Sequence, residues 1–398
     1  MKIAQFITHF PYGDQYRNSK KYAEDYHCGG GGRAAFELVN ELSKRGHDVI
    51  VFTTSKDSKD SVEEINGVKV VRSGKNFKIS RTNISFKLFF DPLKYDVDVV
   101  HVHNTTAPGV IAGLVYAKRK RKPLVITHHG DEKFSNWGST VRRIGVYIHV
   151  NYLIKQSFSL ADIIISSSKY FVEESRYLSK YKDKVKVIPN GIKIEEYSTN
   201  IPKEQARRKL NLPTDKKIVL FLSVLTPKKG PHILLKAMEQ IVEEVPDAML
   251  LMAGSGPIKS ELEKLMQKLR LNDKIEFTGY VEETLKPYYY KAADVFCLPS
   301  VLATEVFPLT LLEASASGLP LVVSDLTTFK CIVEDGYNGF FTERGNQKKL
   351  AERIIYLLQN DDIRERMGRN ARRKSEKYSW ESIAKEIEEI YEELSKKS

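Results

Sequence analysis

The sequence predicts an α/β protein made of two successive doubly wound domains, each with a parallel sheet. Short Val- and Ile-rich runs alternate with amphipathic stretches along most of the chain, and the runs are continuously apolar. Continuous apolar runs are typical of strands that are buried on both faces of a parallel sheet. The chain has 398 residues, enough for two domains of about 150 to 200 residues each.

The first half contains the first β/α series. Helices are predicted at 34–45 and 108–118, each between apolar runs. This alternation indicates parallel strands that are joined by helical crossovers. The predicted strands are 3–8, 49–53, 68–72, 99–102, 124–127, 163–167 and 185–188.

The second half repeats the pattern after a boundary in the range 190–205. Each predicted strand there precedes a helical segment, as doubly wound domains require. Near the end, Ile383, Ile387, Ile390 and Leu394 recur at helical spacing, which predicts an amphipathic helix. The predicted strands are 218–223, 249–253, 275–278, 295–298 and 321–324.

Charge is distributed unevenly between the two halves. Residues 1–190 hold 31 Lys and Arg against 19 Asp and Glu, whereas residues 191–398 hold 32 of each kind. The excess indicates either a well-solvated surface or an anionic partner, such as a phospholipid surface, a lipid-linked phosphate or an acidic glycan. Nucleic acid is disfavoured because no nucleic-acid-binding motif accompanies the charge.

Three widely spaced cysteines (Cys28, Cys297 and Cys331) form no CxxC pair. They favour a reducing compartment and disfavour a structural zinc site or a disulfide framework. No apolar run reaches the roughly 18 residues that a membrane span needs, and the N-terminus is typical of a first strand rather than of a signal peptide. We therefore expect a cytoplasmic protein, with peripheral attachment to the inner face of a membrane as an open alternative.

The stretch from Glu305 to Pro320 reads EVFPLTLLEASASGLP and is the most informative in the chain. Glu305 and Glu313 lie eight positions apart across a loop-to-helix turn, and Gly318 ends the helix. A carboxylate offers only acceptor oxygens, so it can hold a vicinal pair of sugar hydroxyls. Two of them at one helix start predict a site for both ends of a nucleotide sugar, and a solvated helix face is the alternative.

This pattern resembles the retaining GT-B glycosyltransferases of glycosyltransferase family 4, also called glycosyl transferases group 1. Their hallmark is E-x7-E followed by E-A-x-A-x-G-x-P. The resemblance covers nearly the whole chain, through GGGGR at 29–33, HHGD at 128–131, VIPNGI at 187–192, TPKKG at 226–230 and EDGYNGFF at 334–341.

The resemblance implies the GT-B fold, in which two Rossmann-like domains face a cleft. Residues 1–190 would form the acceptor-side domain and 191–378 the nucleotide-sugar-binding domain, while 379–398 would form a helix that packs back on the first domain. The implied activity is metal-independent hexosyl transfer, with retention, from a nucleotide-diphosphate sugar to an acceptor hydroxyl. The basic first half favours a lipid-linked or anionic acceptor in polysaccharide or glycoconjugate synthesis.

The resemblance also assigns roles around the two glutamates. Glu313 would accept the ribose hydroxyls, Glu305 would lie over the transferred sugar, and His129 would hydrogen-bond the sugar at its 6-position. A structural histidine at a strand end is the alternative for His129. The backbone N–H groups expected to meet the sugar or the β-phosphate belong to Phe307, Leu309 and Thr310.

Lys229 is the predicted cation for the leaving diphosphate, with Lys228 as a second candidate. A fixed cation where negative charge develops is the largest catalytic effect available to such a reaction. The family has an Arg five residues before this Lys, but this chain has Val224, and it has Val306 where a Gly is usual. Arg33 or Lys228 could supply the missing charge.

The glycine run before the first helix predicts a loop that approaches a ligand closely. By resemblance, it would touch the donor diphosphate or the acceptor, and a dinucleotide fingerprint or a flexible loop are the alternatives. The segment 10–27 before it is long for a βα connection and predicts an acceptor-side lid or a surface loop. The acceptor or phosphate set comprises Gly30, Gly31, Gly32, Arg33, His103 and Asp131, and the lid tyrosines are Tyr12, Tyr16, Tyr22 and Tyr26.

The remaining predictions concern the nucleobase, metals and rival activities. Gly256 and the segment Gly279, Tyr280 and Val281 would frame the nucleotide, while His101 would have a core role. Asp96 and Asp98 resemble a metal-binding DxD motif but precede a buried strand, so we expect no metal and no cofactor, and phosphate neutralisation by Lys, Arg and helix dipoles. A sugar-nucleotide epimerase, a phosphorylase and a non-catalytic nucleotide-sugar-binding or membrane-binding protein stay open as alternatives.

Overall fold

A computed structural model describes residues 1–13, 26, 28–131, 140–302 and 305–397. The chain divides into two compact units. The first combines Met1–Gly191 with Trp380–Ser398, and the second is Ile192–Ser379. Each unit has its own hydrophobic core around its own parallel sheet.

The sheet of the first unit has eight strands in the order β10-β9-β8-β7-β1-β2-β4-β3. All neighbours are parallel except β3 and β4, and β5 and β6 form a separate antiparallel hairpin. The strands are β1 (Lys2–Phe6), β2 (Asp48–Thr54), β3 (Ser61–Ile65), β4 (Val68–Ser73), β5 (Phe77–Ile79), β6 (Thr82–Ile84), β7 (Val99–Asn104), β8 (Leu124–His128), β9 (Ile163–Ser166) and β10 (Val185–Val187).

Within the described residues, five α-helices of this unit precede the crossing to the second. A π-helical segment, His149–Leu153, joins the third helix to the fourth. The helix predicted at 34–45 begins at Gly29, five residues before the predicted start at Ala34, so the glycine run is part of the helix and not a loop. The helices are α1 (Gly29–Lys44), α2 (Ala107–Lys120), α3 (Thr140–Ile148), α4 (Ile154–Leu160) and α5 (Lys169–Glu174).

The second unit has a six-stranded, fully parallel sheet in the order β13-β12-β11-β14-β15-β16. Its strands are β11 (Lys217–Leu222), β12 (Ala248–Ala253), β13 (Ile275–Gly279), β14 (Val295–Leu298), β15 (Leu321–Ser324) and β16 (Gly339–Thr342). Its helices are α6 (Ile194–Tyr197), α7 (Lys203–Lys209), α8 (Pro231–Glu244), α9 (Lys259–Lys268), α10 (Lys286–Ala292), α11 (Leu309–Ala316), α12 (Gln347–Gln359) and α13 (Asp361–Ser375).

The last helix, α14 (Trp380–Ser395), packs on the sheet of the first unit. Ile383, Ile387 and Ile390 are buried in that unit's core. Glu388 accepts hydrogen bonds from Arg45 Nε and His47 Nε2, each at 2.7 Å. No helix in the described ranges, α14 included, is long and apolar enough to span a membrane.

Both sheets reverse their strand order at one place. In the first unit the reversal lies between β1 and β7, and in the second it lies between β11 and β14. Ligands of doubly wound sheets bind outside the carboxyl ends of the strands at this switch point. The predicted fold class, two doubly wound parallel-sheet domains, is confirmed, and each switch point marks a place to look for a site.

Candidate active site

Lys229 and Glu305 meet at the switch point of the second sheet. Lys229 ends a 3-10 turn, Pro227–Lys229, that follows β11, and Glu305 follows β14. Lys229 Nζ lies 2.5 Å from Glu305 Oε1, and both side chains are largely buried. The pair therefore places a cation suited to phosphate beside a carboxylate suited to hydroxyl groups.

A glycine allows the two loops to approach each other. Gly230 has a φ of +70°, and a Cβ there would lie 1.9 Å from the carbonyl oxygen of Pro299. The backbone N–H of Val301 donates to the carbonyl oxygen of Lys228 at 2.8 Å. The turn that carries Lys229 is thus held against the loop after β14 by backbone contacts that a larger residue at 230 would break.

The position of the missing family arginine lies in the same loop. The side chain of Val224 is 51% exposed and brings no charge. Of the two candidates for a replacement charge, Lys228 has an exposed side chain in the adjoining turn, whereas Arg33 belongs to α1 of the first unit. Lys228 is thus the candidate that adjoins Lys229 within the second unit, and which residue supplies the missing charge stays a prediction.

Glu313 is held inside the second unit by two neighbours that sequence reasoning missed. Glu313 is only 1% exposed. Tyr290 Oη donates to Glu313 Oε2 at 2.7 Å, and Lys286 Nζ lies 3.7 Å from Glu313 Oε1. Lys286 and Tyr290 are four residues apart on α10. Because residues at this spacing share a helix face, that spacing in the run KPYYYKA was the available signal.

The start of α11 presents the predicted backbone donors. Pro308 precedes the helix in an extended conformation, so Leu309 and Thr310 supply N–H groups of the first turn, which have no partner within the helix. The Phe307 side chain packs against Tyr378, with ring centroids 5.5 Å apart. Phe307 is thus anchored in the core, and the positive end of the helix dipole lies beside the Glu305 loop.

The loops after β12 and β13 complete this edge of the second unit. Gly256 lies against the loop after β11, because a Cβ there would be 2.2 Å from the carbonyl oxygen of Leu225. The backbone N–H of Gly254 donates to the carbonyl oxygen of Gly279 at 2.8 Å. The segment predicted to frame the base therefore lies at the carboxyl edge of the sheet: Gly279, Tyr280 and Val281.

The glycine run of the first unit forms the first turn of α1, which corrects the predicted loop. A Cβ on Gly31 would lie 2.8 Å from Thr105 Cγ2 and 3.2 Å from the His129 ring, and one on Gly32 would lie 3.2 Å from the carbonyl oxygen of His9. A Cβ on Gly30 would meet nothing within 4 Å. The glycines thus let a helix, rather than a loop, begin directly against the switch point of the first sheet.

His129 lies beside this helix start, and His103 lies beneath it. His103 Nδ1 is 3.2 Å from His129 Nε2, and His103 Nε2 is 2.8 Å from Gln5 Oε1. His103 is only 1% exposed, so its predicted place in an acceptor or phosphate loop is corrected to a layer below His129. Burial lowers the pKa of His129 to about 4 and that of His103 well below its usual value, so both rings are neutral at pH 7.

Asp131 bonds within the first unit. It accepts hydrogen bonds from His128 Nε2 at 2.8 Å, from Ser175 Oγ at 3.0 Å and from the backbone N–H of Arg176 at 3.2 Å. These contacts hold the loop that carries His129 against the residues after α5. They give Asp131 a structural role beside its predicted site role.

The segment 10–27 lies partly outside the described residues, and so do Tyr16 and Tyr22. Tyr26 is buried, and its hydroxyl donates to the carbonyl oxygen of Thr54 at 2.7 Å. Tyr12 lies under the Arg72 guanidinium, which is 3.5 Å from the ring centroid. Tyr12 and Tyr26 therefore pack at the base of this segment, and the predicted lid stays a prediction.

In the ranges that the structure describes, no group of three or more His, Cys, Asp or Glu could hold a metal ion. Asp98 accepts a hydrogen bond from the backbone N–H of Lys2 at 2.7 Å, and Asp96 lies 3.3 Å from Lys122 Nζ. Both lie at the amino end of β7, away from the switch point. Asp96 and Asp98 therefore have structural partners within the first unit, which accounts for two aspartates at these positions.

Known proteins match this chain along nearly its full length. The family model described as Glycosyltransferase Family 4 matches residues 28–196, and the one described as Glycosyl transferases group 1 matches residues 202–374. An uncharacterized glycosyltransferase of Methanocaldococcus jannaschii is 33% identical over 380 residues, which are 92% of this chain and 93% of that protein.

Two further proteins illustrate the range of similarity. An alpha-monoglucosyldiacylglycerol synthase of Acholeplasma laidlawii is 28% identical over 90% of this chain and 92% of its own length. Sucrose-phosphate synthase of Thermosynechococcus elongatus has a TM-score of 0.76 at 24% identity, with all of both chains covered, and shares the GT-B fold. With two matching family models and a full-length relative above 30% identity, this chain belongs to glycosyltransferase family 4 (glycosyl transferases group 1).

Proposed function

We propose that this glycosyltransferase moves a hexosyl group from a nucleotide-diphosphate sugar to a hydroxyl of a lipid-linked or anionic acceptor, with retention and without a metal ion. The observation that carries the proposal is the 2.5 Å pair of Lys229 and Glu305 at the switch point of the second sheet. It lies in the same unit as the anchored Glu313, so a cation for phosphate and two acceptor groups for hydroxyls occur together.

In the proposed reaction, the bond between the anomeric carbon and the diphosphate oxygen breaks, and its electrons leave with the diphosphate. Lys229 stabilises the developing negative charge, assisted by the first N–H groups of α11. The acceptor oxygen bonds the anomeric carbon on the same face, and its proton passes to the departing phosphate oxygen. Glu313 holds the ribose and Glu305 contacts the transferred sugar, and for His129 a contact with that sugar stays a prediction.

The decisive experiment measures the melting temperature with UDP-, GDP- and ADP-sugars in the presence of EDTA. We expect one nucleotide class to raise it in the wild type and not in Glu313→Ala, because a bound ligand stabilises only the folded state. An effect that appears only with added metal would contradict metal independence. NMR of the product then reads the anomeric configuration, and an inverted product would refute retention.

A lipid acceptor is supported by the relative from Acholeplasma, whose name is alpha-monoglucosyldiacylglycerol synthase. This chain also carries an exposed apolar face on α3 and the π-helical segment, flanked by the exposed side chains of Arg143 and Lys155. Apolar and aromatic groups beside basic ones are typical of helices that lie on anionic membranes. The members of this face are each at least half exposed: Ile144, Tyr147, Ile148 and Tyr152.

We propose that this α3 face binds an anionic phospholipid surface. Cosedimentation with phosphatidylglycerol vesicles should fall severalfold in the double variant Ile144→Ser, Ile148→Ser. The matched control is Val62→Ser on the edge strand β3, where Val62 is 61% exposed. Equal binding by the double variant and the control would refute this surface, and undiminished binding to phosphatidylcholine vesicles would refute the role of charge.

A further inference from the structure

A chain of hydrogen-bonded side chains crosses the core of the first unit from α14 to His129. Tyr391 Oη lies 2.5 Å from His101 Nδ1 and 3.1 Å from Gln5 Nε2. The other end of the same amide, Gln5 Oε1, lies 2.8 Å from His103 Nε2, and His103 Nδ1 lies 3.2 Å from His129 Nε2. This series of hydrogen bonds thus joins α14, β1, β7 and the loop after β8.

Donor and acceptor rules leave one arrangement of protons at the His129 end. An amide oxygen only accepts, so the proton of His103 must be on Nε2, which faces Gln5 Oε1. A neutral imidazole carries one N–H group, so His103 Nδ1 accepts and His129 Nε2 must donate to it. His129 Nδ1 is then an acceptor, and among the described residues it has no hydrogen-bond donor.

Burial keeps these rings neutral, as this arrangement requires. Desolvation lowers the pKa of His101 to about 3 and that of His129 to about 4, and it lowers the pKa of His103 strongly. A protonated His103 would present N–H groups from both nitrogens and reverse the bond to His129. The neutral state of the rings therefore keeps the donor-to-acceptor direction of these hydrogen bonds the same from Tyr391 to His129.

The orientation of the Gln5 amide is set at its other end by Tyr391. Burial raises the pKa of the Tyr391 hydroxyl, so it keeps its proton, and we infer that it donates this proton to His101 Nδ1 because its oxygen accepts from Gln5 Nε2. The same oxygen accepts from Gln5 Nε2, and His101 Nε2 donates to Thr127 Oγ1 at 2.7 Å. With the amide nitrogen engaged by Tyr391, the amide oxygen must face His103.

We propose that Tyr391, Gln5 and His103 are positioning residues that set the tautomer of His129, so that its Nδ1 accepts a hydrogen bond from a hydroxyl of the transferred sugar. The sugar contact rests on the proposed function, whereas the tautomer does not. A preset acceptor costs no rearrangement when the substrate binds. It also rejects a sugar that offers no donor at that place, because the imidazole would lose its partner.

The test is ¹⁵N-histidine NMR, which shows directly which ring nitrogen carries the proton. We expect wild-type His129 to be protonated on Nε2. Gln5→Met keeps the length of the side chain but removes the amide, so His129 should show both tautomers and kcat should fall about tenfold, the effect of one lost hydrogen bond. Tyr391→Phe frees the amide to rotate and should shift the His129 tautomer in the same direction.

The matched control is Thr53→Val, which removes a buried hydroxyl that donates to the carbonyl oxygen of Thr8 at 3.0 Å, outside the path from Tyr391 to His129. It should lower the melting temperature yet leave the His129 tautomer unchanged. An active enzyme in which Gln5→Met does not alter the tautomer would overturn the inference and leave the proposed function standing. The expected NMR pattern in a protein that transfers no sugar would overturn the proposed function, and with it the sugar contact.

Discussion

At the scale of single residues, the proposed chemistry depends above all on Lys229 and Glu305 at the switch point of the second sheet. Their 2.5 Å contact joins two opposite charges that are largely shielded from water. Glu305 holds the ammonium of Lys229 in place. A diphosphate that approaches Lys229 competes with Glu305 for this ammonium, so the positive charge is not permanently neutralised. This arrangement predicts that the two lysines of the turn are not equivalent.

Lys229→Ala should lower kcat by about 100- to 1,000-fold, the usual effect of removing a group that stabilises developing negative charge. Lys228→Ala removes the same charge from an exposed side chain in the same turn and should cost far less. Steady-state kinetics with the preferred donor will measure both. Equal losses of kcat in the two variants would show that Lys229 contributes only to the overall positive electrostatic potential of the turn.

Tyr290→Phe should raise the KM for the donor about tenfold and leave kcat nearly unchanged. The phenol donates to Glu313 Oε2 at 2.7 Å, so its loss frees the carboxylate that we assign to the ribose. The control is Tyr289→Phe on the same helix, which leaves the Tyr290–Glu313 bond intact. A loss in kcat alone would place Glu313 at the reacting centre instead of the ribose.

At the scale of elements, the glycine turn of α1 replaces the loop that the sequence predicts. Four glycines in a row lower helix propensity, so local reasoning places the helix start after them. The structure begins the helix at Gly29 because Gly31 and Gly32 leave room for Thr105, His129 and the backbone after β1. Packing that joins residues far apart in sequence outweighs the local preference.

Gly30 and Gly31 offer a matched pair of substitutions. Gly30→Ala meets nothing within 4 Å and should stabilise the protein by about 0.5 to 1 kcal/mol through helix propensity. Gly31→Ala places its Cβ 2.8 Å from Thr105 Cγ2 and should displace the neighbouring His129 ring. We expect a lower kcat in Gly31→Ala only, measured together with urea denaturation. Equal activity in both variants would contradict the contact with His129.

The strands divide into those that the sequence predicts and those that it misses. The buried parallel strands, such as β7 and β11, are continuous apolar runs and were predicted. The edge strand β3 was missed because most of its residues are exposed, so SVEEI has no apolar run, and the short edge strand β16 was also missed. An edge strand is defined by its partner rather than by its own composition.

At the scale of the whole molecule, the two units should respond differently to acid. Eight of the nine histidines belong to the first unit, and burial lowers the pKa of His149, like that of His129, to about 4. Unfolding returns each ring to its ordinary pKa of about 6.5, so below that pH the unfolded chain binds more protons. The stability of the first unit should therefore be full above about pH 6.5 and fall as the pH drops towards 4.

Hydrogen exchange followed by mass spectrometry can test this unit by unit. Between pH 6.5 and 5, peptides of the first unit should lose protection by up to about 1.4 kcal/mol per pH unit for each buried histidine. Peptides of the second unit, whose one histidine is His232, serve as the internal control. An equal loss in both units would contradict a role of the buried imidazoles.

The sequence by itself determined the α/β class, the two-domain plan and the family. Buried parallel strands appear in it as continuous apolar runs, and the family motifs are short stretches of consecutive residues. It also marked Lys229, Glu305 and His129, since each follows a predicted strand, and it marked Glu313 by its spacing of eight positions from Glu305. Only the tertiary structure decided what surrounds them. Tyr290 on Glu313 and the path from Tyr391 to His129 join residues that are distant in the chain, and hydrogen bonds between such residues leave no periodic signal in sequence.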